Sequence, residues 1–305
     1  MRFRYAMLLF ALLGCGTSST SVECEELQAI GCVPDDGGTP DGGAEPSSSL
    51  VVSVGWLADR LGDSSVQPVD TRASGFGASR IPGAIHLRPS ELSSTIDGVP
   101  SQIVAPAEAE LVLREAGLRS DAIAVVYGEP PEYDPSRIVW ALRYYGHEDV
   151  RYLDGGFDAW VEAQGEVDSG SPTIEPTDYA IAGVREDLRV TGDWILSQLG
   201  DPPYDAAQIQ IVDARSEGEH ENGRIPGARS VNWTRNLDGG ALRPTTELEA
   251  LYDGLDRATT TVTYCTSGLR GSFDWLTLVA LGYEDVRLYD GSWNEWSTGA
   301  FPIEQ

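Results

Sequence analysis

The sequence predicts an α/β protein of two tandem domains, each a mainly parallel sheet flanked by helices. Three observations support this fold class. The chain has 305 residues, about twice the length of a common domain. Its two halves contain the same motifs in the same order. Within each half, short apolar stretches typical of buried strands alternate with stretches of helical spacing, the pattern of a parallel sheet covered on both faces.

The charge composition excludes several classes of protein. The chain has 48 acidic and 21 basic side chains, and its formal net charge is −27. Nucleic acids and anionic membrane surfaces would therefore repel it. Every basic residue is an arginine, so Schiff-base chemistry, a lysine general base and a P-loop lysine are excluded. If the protein binds an anion, arginines must hold it.

The amino terminus predicts an export signal over residues 1–14. Arg2 and Arg4 precede a short apolar stretch, residues 6–13, which is too short to span a bilayer. The sequence Leu12-Leu13-Gly14-Cys15 resembles a bacterial lipobox, in which Cys15 becomes the lipidated first residue. The resemblance implies a protein of a bacterial cell envelope, attached to the membrane through a lipid only. An ordinary signal peptide with an incidental cysteine is the alternative.

Residues 15–49 are predicted to form a flexible tether behind that lipid. Residues 34–49 are rich in proline, glycine, aspartate and serine and offer nothing to bury. Cys24 and Cys32 lie within the tether, close enough in sequence to form a local disulfide in an oxidising compartment. Two free thiols are the alternative interpretation.

An internal repeat organises the rest of the chain. Motifs recur at a spacing of about 140 residues, which is the size of a domain and too long for a solenoid. The repeat predicts one domain over residues 50–164, a linker over 165–187 and a second domain over 188–305. The matched blocks are Val54–Leu57 with Gly192–Ile195, Val69–Arg72 with Val212–Arg215, Arg80–Ala84 with Arg224–Ala228, and Tyr152–Trp160 with Leu288–Trp296.

The second half shows the predicted alternation most clearly. Thr260–Tyr264 is β-branched and aromatic, which indicates a buried strand, and helical spacing follows over residues 271–281. Further strands are expected at 209–212 and 285–289, and a helix over 246–254.

A cysteine lies where the buried strand meets the next helix. In α/β sheets, ligands bind at the carboxyl ends of the strands. Unpaired backbone N–H groups and the helix dipole favour an anion there, so Cys265 is expected to be a reactive thiolate. Gly268 lets the loop turn its N–H groups inward, and Arg270 adds a permanent positive charge. The predicted substrate-binding residues of this loop are Thr266, Ser267, Gly268, Leu269 and Arg270.

These motifs resemble a tandem-domain rhodanese, or thiosulfate sulfurtransferase, over residues 50–305. The resemblance implies that the second domain is catalytic. It also implies that Cys265 removes the outer sulfur of a small anion such as thiosulfate and passes it from a persulfide to cyanide or a thiol. No metal or organic cofactor is implied. The first domain has Gly128 where the second has Cys265, followed by an acidic, proline-rich stretch, so it is expected to be a structural partner.

Other functions remain open at this stage. The mercaptopyruvate branch of the family usually has C-G-[ST]-G in the loop; Ser267 fits that pattern and Thr266 does not, which favours thiosulfate. An envelope lipoprotein that carries or senses sulfur without turnover is another alternative. A phosphatase on a related fold would have C-x5-R rather than the C-x4-R of this loop, and no general acid is identifiable nearby.

Arg215 has two interpretations. It follows a predicted strand and corresponds to a position that borders the active site of the family, which would make it a substrate-binding residue. It could instead form a structural ion pair with Asp213. His220 and Arg224 are nearby in sequence and are interpreted as loop residues rather than ligands. The sequence does not predict an oligomeric state.

Overall fold

Two parallel sheets with flanking helices form the described part of the chain. The computed structural model describes residues 50–147, 149–204 and 208–305, all within one compact unit. In chain order the elements are β1 (Val51–Val52), α1 (Val54–Ala58), β2 (Val66–Asp70), β3 (Ile85–His86), β4 (Ser93–Ile96), β5 (Val99–Ile103), α2 (Pro106–Glu115), β6 (Ile123–Tyr127), α3 (Asp134–Tyr144), β7 (Val150–Leu153), α4 (Gly156–Glu162), β8 (Arg189–Val190), α5 (Gly192–Leu199), β9 (Gln210–Asp213), α6 (Glu217–Glu221), β10 (Arg229–Ser230), β11 (Leu237–Asp238), β12 (Ala241–Leu242), α7 (Thr245–Leu251), β13 (Thr261–Tyr264), α8 (Gly271–Ala280), β14 (Val286–Tyr289) and α9 (Ser292–Thr298). Short 3₁₀ turns cover Pro89–Leu92, Glu186–Leu188 and Trp233–Asn236.

The two sheets have the same topology, which confirms the predicted fold class. The first has the strand order β1-β7-β6-β2-β3 and the second β10-β9-β13-β14-β8, the same connectivity read from the opposite edge. Every pairing within these sheets is parallel. Each domain also has a small antiparallel hairpin, β4–β5 in the first and β11–β12 in the second.

The same type of N-cap residue starts the first helix of each domain, α1 and α5. The hydroxyl of Ser53 accepts a hydrogen bond from the N–H of Trp56 at the start of α1, and Thr191 does the same for Trp194 at the start of α5. Such N-caps satisfy a backbone donor that the helix leaves unpaired. All residues of β13 are buried, as expected for a parallel strand covered by helices on both faces.

The domains pack through the helices that follow their central strands. Helix α3 of the first domain lies against α8 of the second, and Ser136 and Ser272 share a hydrogen bond of 3.0 Å between their hydroxyl oxygens. Tyr152 stands edge-on to Phe273 at 6.0 Å between ring centroids. One apolar core therefore continues from the first domain into the second.

Most predicted elements in the second half occur within one or two residues of their expected positions; the helix expected over 246–254 ends earlier, at Leu251. The export signal, the tether and the proposed roles of Cys15, Cys24 and Cys32 lie outside the described residues. None of the helices in the described part of the chain has both the length and the apolar character needed to cross a membrane.

Candidate active site

Cys265 lies at the carboxyl end of the central strand of the second sheet. Strand β13 ends at Tyr264 and helix α8 begins at Gly271, so residues 265–270, the cysteine loop, connect the two. Cys265 is a free thiol, and the residue is only 1% exposed. The sulfur therefore belongs to a largely enclosed loop, where an anion depends on protein groups rather than water for stabilisation.

The cysteine loop has consecutive backbone N–H groups that are not used in hydrogen bonds within the described residues. The carbonyl oxygens of Cys265 and Thr266 accept hydrogen bonds from the N–H groups of Trp293 and Asn294, each at 3.0 Å. In a trans peptide the carbonyl and the following N–H point in opposite directions, so the N–H groups that follow these carbonyls point away from α9. Within the described residues, the N–H groups of 266–270 donate to no protein acceptor. Such consecutive free N–H groups make an anion-binding nest.

Gly268 permits the sharp turn of this loop. Its φ is +79°, in the left-handed region, and a Cβ there would lie 2.9 Å from the carbonyl oxygen of Asp290. Both the backbone angle and the close approach require a residue without a side chain. From the sequence, Gly268 was expected to let the loop turn, and its backbone angle agrees with that expectation.

Arg270 forms an ion pair that the sequence analysis did not predict. Its guanidinium donates two hydrogen bonds, at 2.9 and 2.8 Å, to the carboxylate of Glu219. The same guanidinium also donates to the hydroxyl of Thr266, which in turn donates to Glu219. These bonds hold the pKa of Glu219 far below its usual range, whereas they raise the pKa of Arg270 further. The contact of Arg270 with a substrate stays a prediction.

A local signal for Glu219 was present in the sequence. Ser216 and Glu219 form a capping box at the start of α6, a pattern of serine and glutamate three residues apart. Because α6 follows β9, which pairs with β13, this helix begins at the same edge of the sheet as the cysteine loop. The capping box was readable from the sequence, but the partner of Glu219 was not.

Arg215 takes the structural ion pair that was its alternative interpretation. It donates to both carboxylate oxygens of Asp213 and to the carbonyl of Gly223, and its side chain is 3% exposed. Its guanidinium also lies 4.4 Å from the ring centroid of Trp293. The contact of Arg215 with a substrate stays a prediction.

The first domain contains the same pair without a neighbouring cysteine. Arg72 donates to both oxygens of Asp70 and lies 3.8 Å from the ring centroid of Phe157. Because the pair occurs in both copies of the fold and the cysteine in only one, the aspartate–arginine pair belongs to the fold as much as to the site.

The other two basic candidates lie near this pair. His220 contacts the carboxylate of Asp213 through Nδ1 at 2.9 Å, and Arg224 forms an ion pair with Glu304. Both therefore have protein partners. Arg224 lies between α6 and β10, as a loop residue would, but the interpretation of His220 as a loop residue is wrong: His220 lies within α6, because the capping box of Ser216 and Glu219 starts a helix there. The described ranges contain no group of three or more His, Cys, Asp or Glu side chains that could hold a metal ion.

Ser292 contacts the first residue of the cysteine loop, which the sequence did not predict. Its hydroxyl accepts a hydrogen bond from the N–H of Cys265 at 3.2 Å and donates one to the carbonyl of Tyr289 at 2.8 Å. Its φ is +52°, and the equivalent Gly156 of the first domain has φ +57°. A serine in this strained conformation is uncommon, and here its hydroxyl links the start of the cysteine loop to the start of α9.

The first domain contributes an aromatic side chain beside the loop. Tyr133 stands edge-on to Trp233, with ring centroids 5.4 Å apart. Burial raises the pKa of Tyr133, and the nearby carboxylate of Asp134 raises it further. Arg270 and Cys265 have smaller effects on this pKa: Arg270 lowers it and Cys265 raises it. The phenol is therefore within electrostatic range of the cysteine loop. The expected counterpart of Cys265, Gly128, follows β6 as Cys265 follows β13.

Comparison with known proteins identifies the family. The model for the Rhodanese-like domain matches residues 53–163 and again residues 191–298. The chain is 32% identical over 282 residues to a thiosulfate sulfurtransferase of Corynebacterium glutamicum, covering 83% of this chain and 90% of that protein. It is 28% identical over 267 residues to the sulfur carrier protein TtuD of Thermus thermophilus, covering 81% and 93%.

A solved structure agrees with these relatives. SseA from Escherichia coli, described with the 3-mercaptopyruvate sulfotransferases, superposes with a TM-score of 0.72 at 26% identity, over 81% of this chain and all of that chain. Two matches to one domain model, a relative above 30% identity and a shared fold all indicate the same family. The chain therefore belongs to the tandem-domain rhodanese family of sulfurtransferases.

Proposed function

We propose that this protein is a thiosulfate sulfurtransferase that works through a persulfide on Cys265. The observation that carries the proposal is the loop itself: a buried free thiol begins a loop whose backbone N–H groups have no acceptor among the described residues. The names of the relatives support the same chemistry, because they include a thiosulfate sulfurtransferase and a sulfur carrier.

The reaction proceeds in two displacements. The thiolate of Cys265 attacks the outer sulfur of thiosulfate; a sulfur–sulfur bond forms, and the bond to the sulfonate breaks. Sulfite leaves with the electron pair of that bond. The acceptor, cyanide or a thiolate, then attacks the terminal sulfur of the persulfide. The second sulfur–sulfur bond breaks, and the thiolate of Cys265 is regenerated, as in other forms of covalent catalysis.

The geometry suggests how charge is handled during these steps. Free N–H groups around Cys265 stabilise negative charge on the terminal sulfur without reorganising, which is the basis of electrostatic catalysis. Arg270 lies at the end of the loop, and its side chain is 22% exposed. We assign it to the sulfonate end of the donor, with Glu219 holding the guanidinium in place.

A direct assay tests the proposal. The purified protein should release thiocyanate from thiosulfate and cyanide, and Cys265→Ser should abolish the release. Cys24→Ser is the matched control, because it also replaces a thiol and lies far in sequence from the loop; its activity should equal that of the wild type. Mass spectrometry after thiosulfate alone should find one added sulfur on the peptide that contains Cys265. Absence of both the persulfide and thiocyanate would refute the proposal.

The same assay distinguishes the donors. The SseA structure belongs to the 3-mercaptopyruvate enzymes, so 3-mercaptopyruvate should be compared with thiosulfate at equal concentration. We expect a higher kcat/KM for thiosulfate, because the loop has Thr266 rather than glycine and ends in Arg270. A persulfide that forms without turnover by cyanide or thiols would instead indicate a sulfur carrier.

We also propose that the protein is exported and attached to a bacterial membrane through a lipid on Cys15. Support comes from Arg2, Arg4, the apolar stretch that follows and the sequence before Cys15. Cells that express the protein should incorporate a labelled fatty acid into it. Cys15→Ser should lose the label, whereas Cys32→Ser should keep it; equal labelling of both variants would contradict the proposal.

A further inference from the structure

The first domain places a buried arginine directly behind the cysteine loop. Arg137, on α3, is 1% exposed and donates a hydrogen bond of 2.7 Å to the carboxylate of Asp290. It also donates to the carbonyl of Ser101 at 3.1 Å. Its other terminal nitrogen, Nη1, is buried and has no hydrogen-bond partner. This unpaired nitrogen lies 3.2 Å from the point where a Cβ on Gly268 would be.

Asp290 connects this arginine to the catalytic cysteine. The Cβ position of Gly268 is 2.9 Å from the carbonyl oxygen of Asp290 and 3.2 Å from its Oδ1. Two residues further along, Ser292 accepts the hydrogen bond from the N–H of Cys265. The carboxylate of Asp290 is fully buried, so its negative charge is poorly screened by water and acts on the loop.

We propose that Arg137 is a positioning residue for the sulfur-transfer site: by neutralising Asp290 behind the cysteine loop, the first domain keeps the loop favourable for an anion. This inference rests on the proposed role of Cys265 as the nucleophile. It gives the domain without a cysteine a defined contribution to catalysis, in addition to its packing against α8.

The pair also holds the loop mechanically. Oδ2 of Asp290 accepts a hydrogen bond of 2.9 Å from the N–H of Ile103, at the end of the first-domain hairpin β4–β5. Arg189 lies 3.4 Å from the same oxygen. A carboxylate with these partners has one preferred position, and the backbone of Gly268 packs against it.

The first domain contains an aspartate that serves as a control for Asp290. Asp154 is the equivalent of Asp290 in the first domain, and its Oδ1 accepts a hydrogen bond of 2.8 Å from the N–H of Leu242 in the opposite hairpin β11–β12. The two aspartates therefore make the same contact across the domain interface. Within the described residues, Asp154 forms no ion pair with an arginine. It also faces no cysteine loop, because Gly128 replaces the cysteine in the first domain.

The pH dependence of Cys265 alkylation by iodoacetamide, followed on the peptide that contains Cys265, tests the charge argument. Asp290→Asn removes a negative charge and should lower the midpoint by about one pH unit. Arg137→Met should raise the midpoint by a similar amount, and the double variant should return close to the wild type. Arg137→Lys should stay near the wild type because it retains the charge, and Asp154→Asn should not change the midpoint.

None of these variants changes the other charged and titratable groups around the loop. They are Arg270, Glu219, Tyr133, Asp134, Asp274, Arg189, Arg215, Asp213, His220 and Glu295. Shifts of opposite sign in the two single variants therefore report the Arg137–Asp290 pair.

A purely structural role predicts a different result. Loss of a buried partner would then lower thermal stability in both single variants, and the midpoints would not move or would move in the same direction; either result overturns the inference. If Arg137→Met does not fold, Asp290→Asn and the double variant still decide it. Alkylation of Cys265 needs no sulfur donor, so the two proposals can fail independently. If the wild type released no thiocyanate, the proposed function would be refuted, but the alkylation midpoints would still test the role of Arg137.

Discussion

Replacing Gly268 by alanine tests whether the shape of the cysteine loop is required for catalysis. The added Cβ meets the carbonyl oxygen of Asp290 at 2.9 Å, about 0.5 Å short of an ordinary contact of 3.4 Å. The φ of +79° adds an intrinsic cost of about 1–2 kcal/mol for a residue other than glycine. Because the obstacle is backbone, the loop itself must move.

The expected loss of activity follows from that movement. The free N–H groups of the loop must lie within hydrogen-bond distance of the transferred sulfur, and a displacement of about 1 Å can reduce the rate about 100-fold. A movement of about half that size should lower kcat/KM by about 10-fold or more. Thermal unfolding should show a loss of about 1–3 kcal/mol in the free energy of unfolding.

Gly282→Ala is the matched control. Gly282 follows the other end of α8, has φ +82°, and offers open space to a Cβ. It should therefore lose about the same stability from its backbone angle and keep wild-type kcat/KM. Thiocyanate release and thermal unfolding should be measured on both variants. Wild-type kcat/KM in Gly268→Ala would refute the reasoning that the loop requires this close approach.

Further predictions concern the ion pairs and the hydroxyl at the site. The bonds to Arg270 hold the pKa of Glu219 far below its usual range. The pair therefore stabilises the fold at neutral pH, and this contribution is lost as the pH falls below about 4.3, the ordinary pKa of a glutamate. Glu219→Gln should lose less stability than the wild type between pH 6 and pH 3, and equal losses would contradict this. Arg215→Met and Arg72→Met should each cost about 3–5 kcal/mol in unfolding free energy, because each removes the guanidinium partner of a buried carboxylate. A KM for thiosulfate raised only in Arg215→Met would show a substrate contact. Ser292→Gly should relieve the strained φ and remove the hydrogen bond to the N–H of Cys265. Because these two effects oppose each other, the free energy of unfolding should stay within about 1 kcal/mol of the wild type. The kcat should fall, and an unchanged kcat would show that the hydrogen bond is not required.

Much of the fold was predictable because its signals are local. The strand Thr261–Tyr264 is β-branched and buried, and helix α8 has an apolar repeat of helical period. The repeat predicted two equivalent domains, and the two sheets have the same connectivity. The cysteine at the strand–helix junction was found in the same way, because its position in the chain places it at the carboxyl edge of a parallel sheet.

The partners of the site residues were less predictable. From the sequence, Arg270 was expected to be available to an anion. The structure pairs it with Glu219, 51 residues away in the chain. The capping box that positions Glu219 is local, but its contact with the loop depends on the pairing of β9 with β13. The same holds for Ser292, whose hydroxyl reaches Cys265 only after β14 and β13 have paired.

The amino-acid sequence by itself determined the alternation of strands and helices, the duplication, the place of Cys265 at a strand–helix junction and the absence of lysine, since each depends on residues close in the chain or on composition. Only the tertiary structure decided which charges meet. Arg137 and Asp290 are 153 residues apart in sequence and 2.7 Å apart in space, and no local pattern connects them. The physical reason is that the field at Cys265 is a sum over groups that the packing of two domains brings together, with burial setting how strongly each acts.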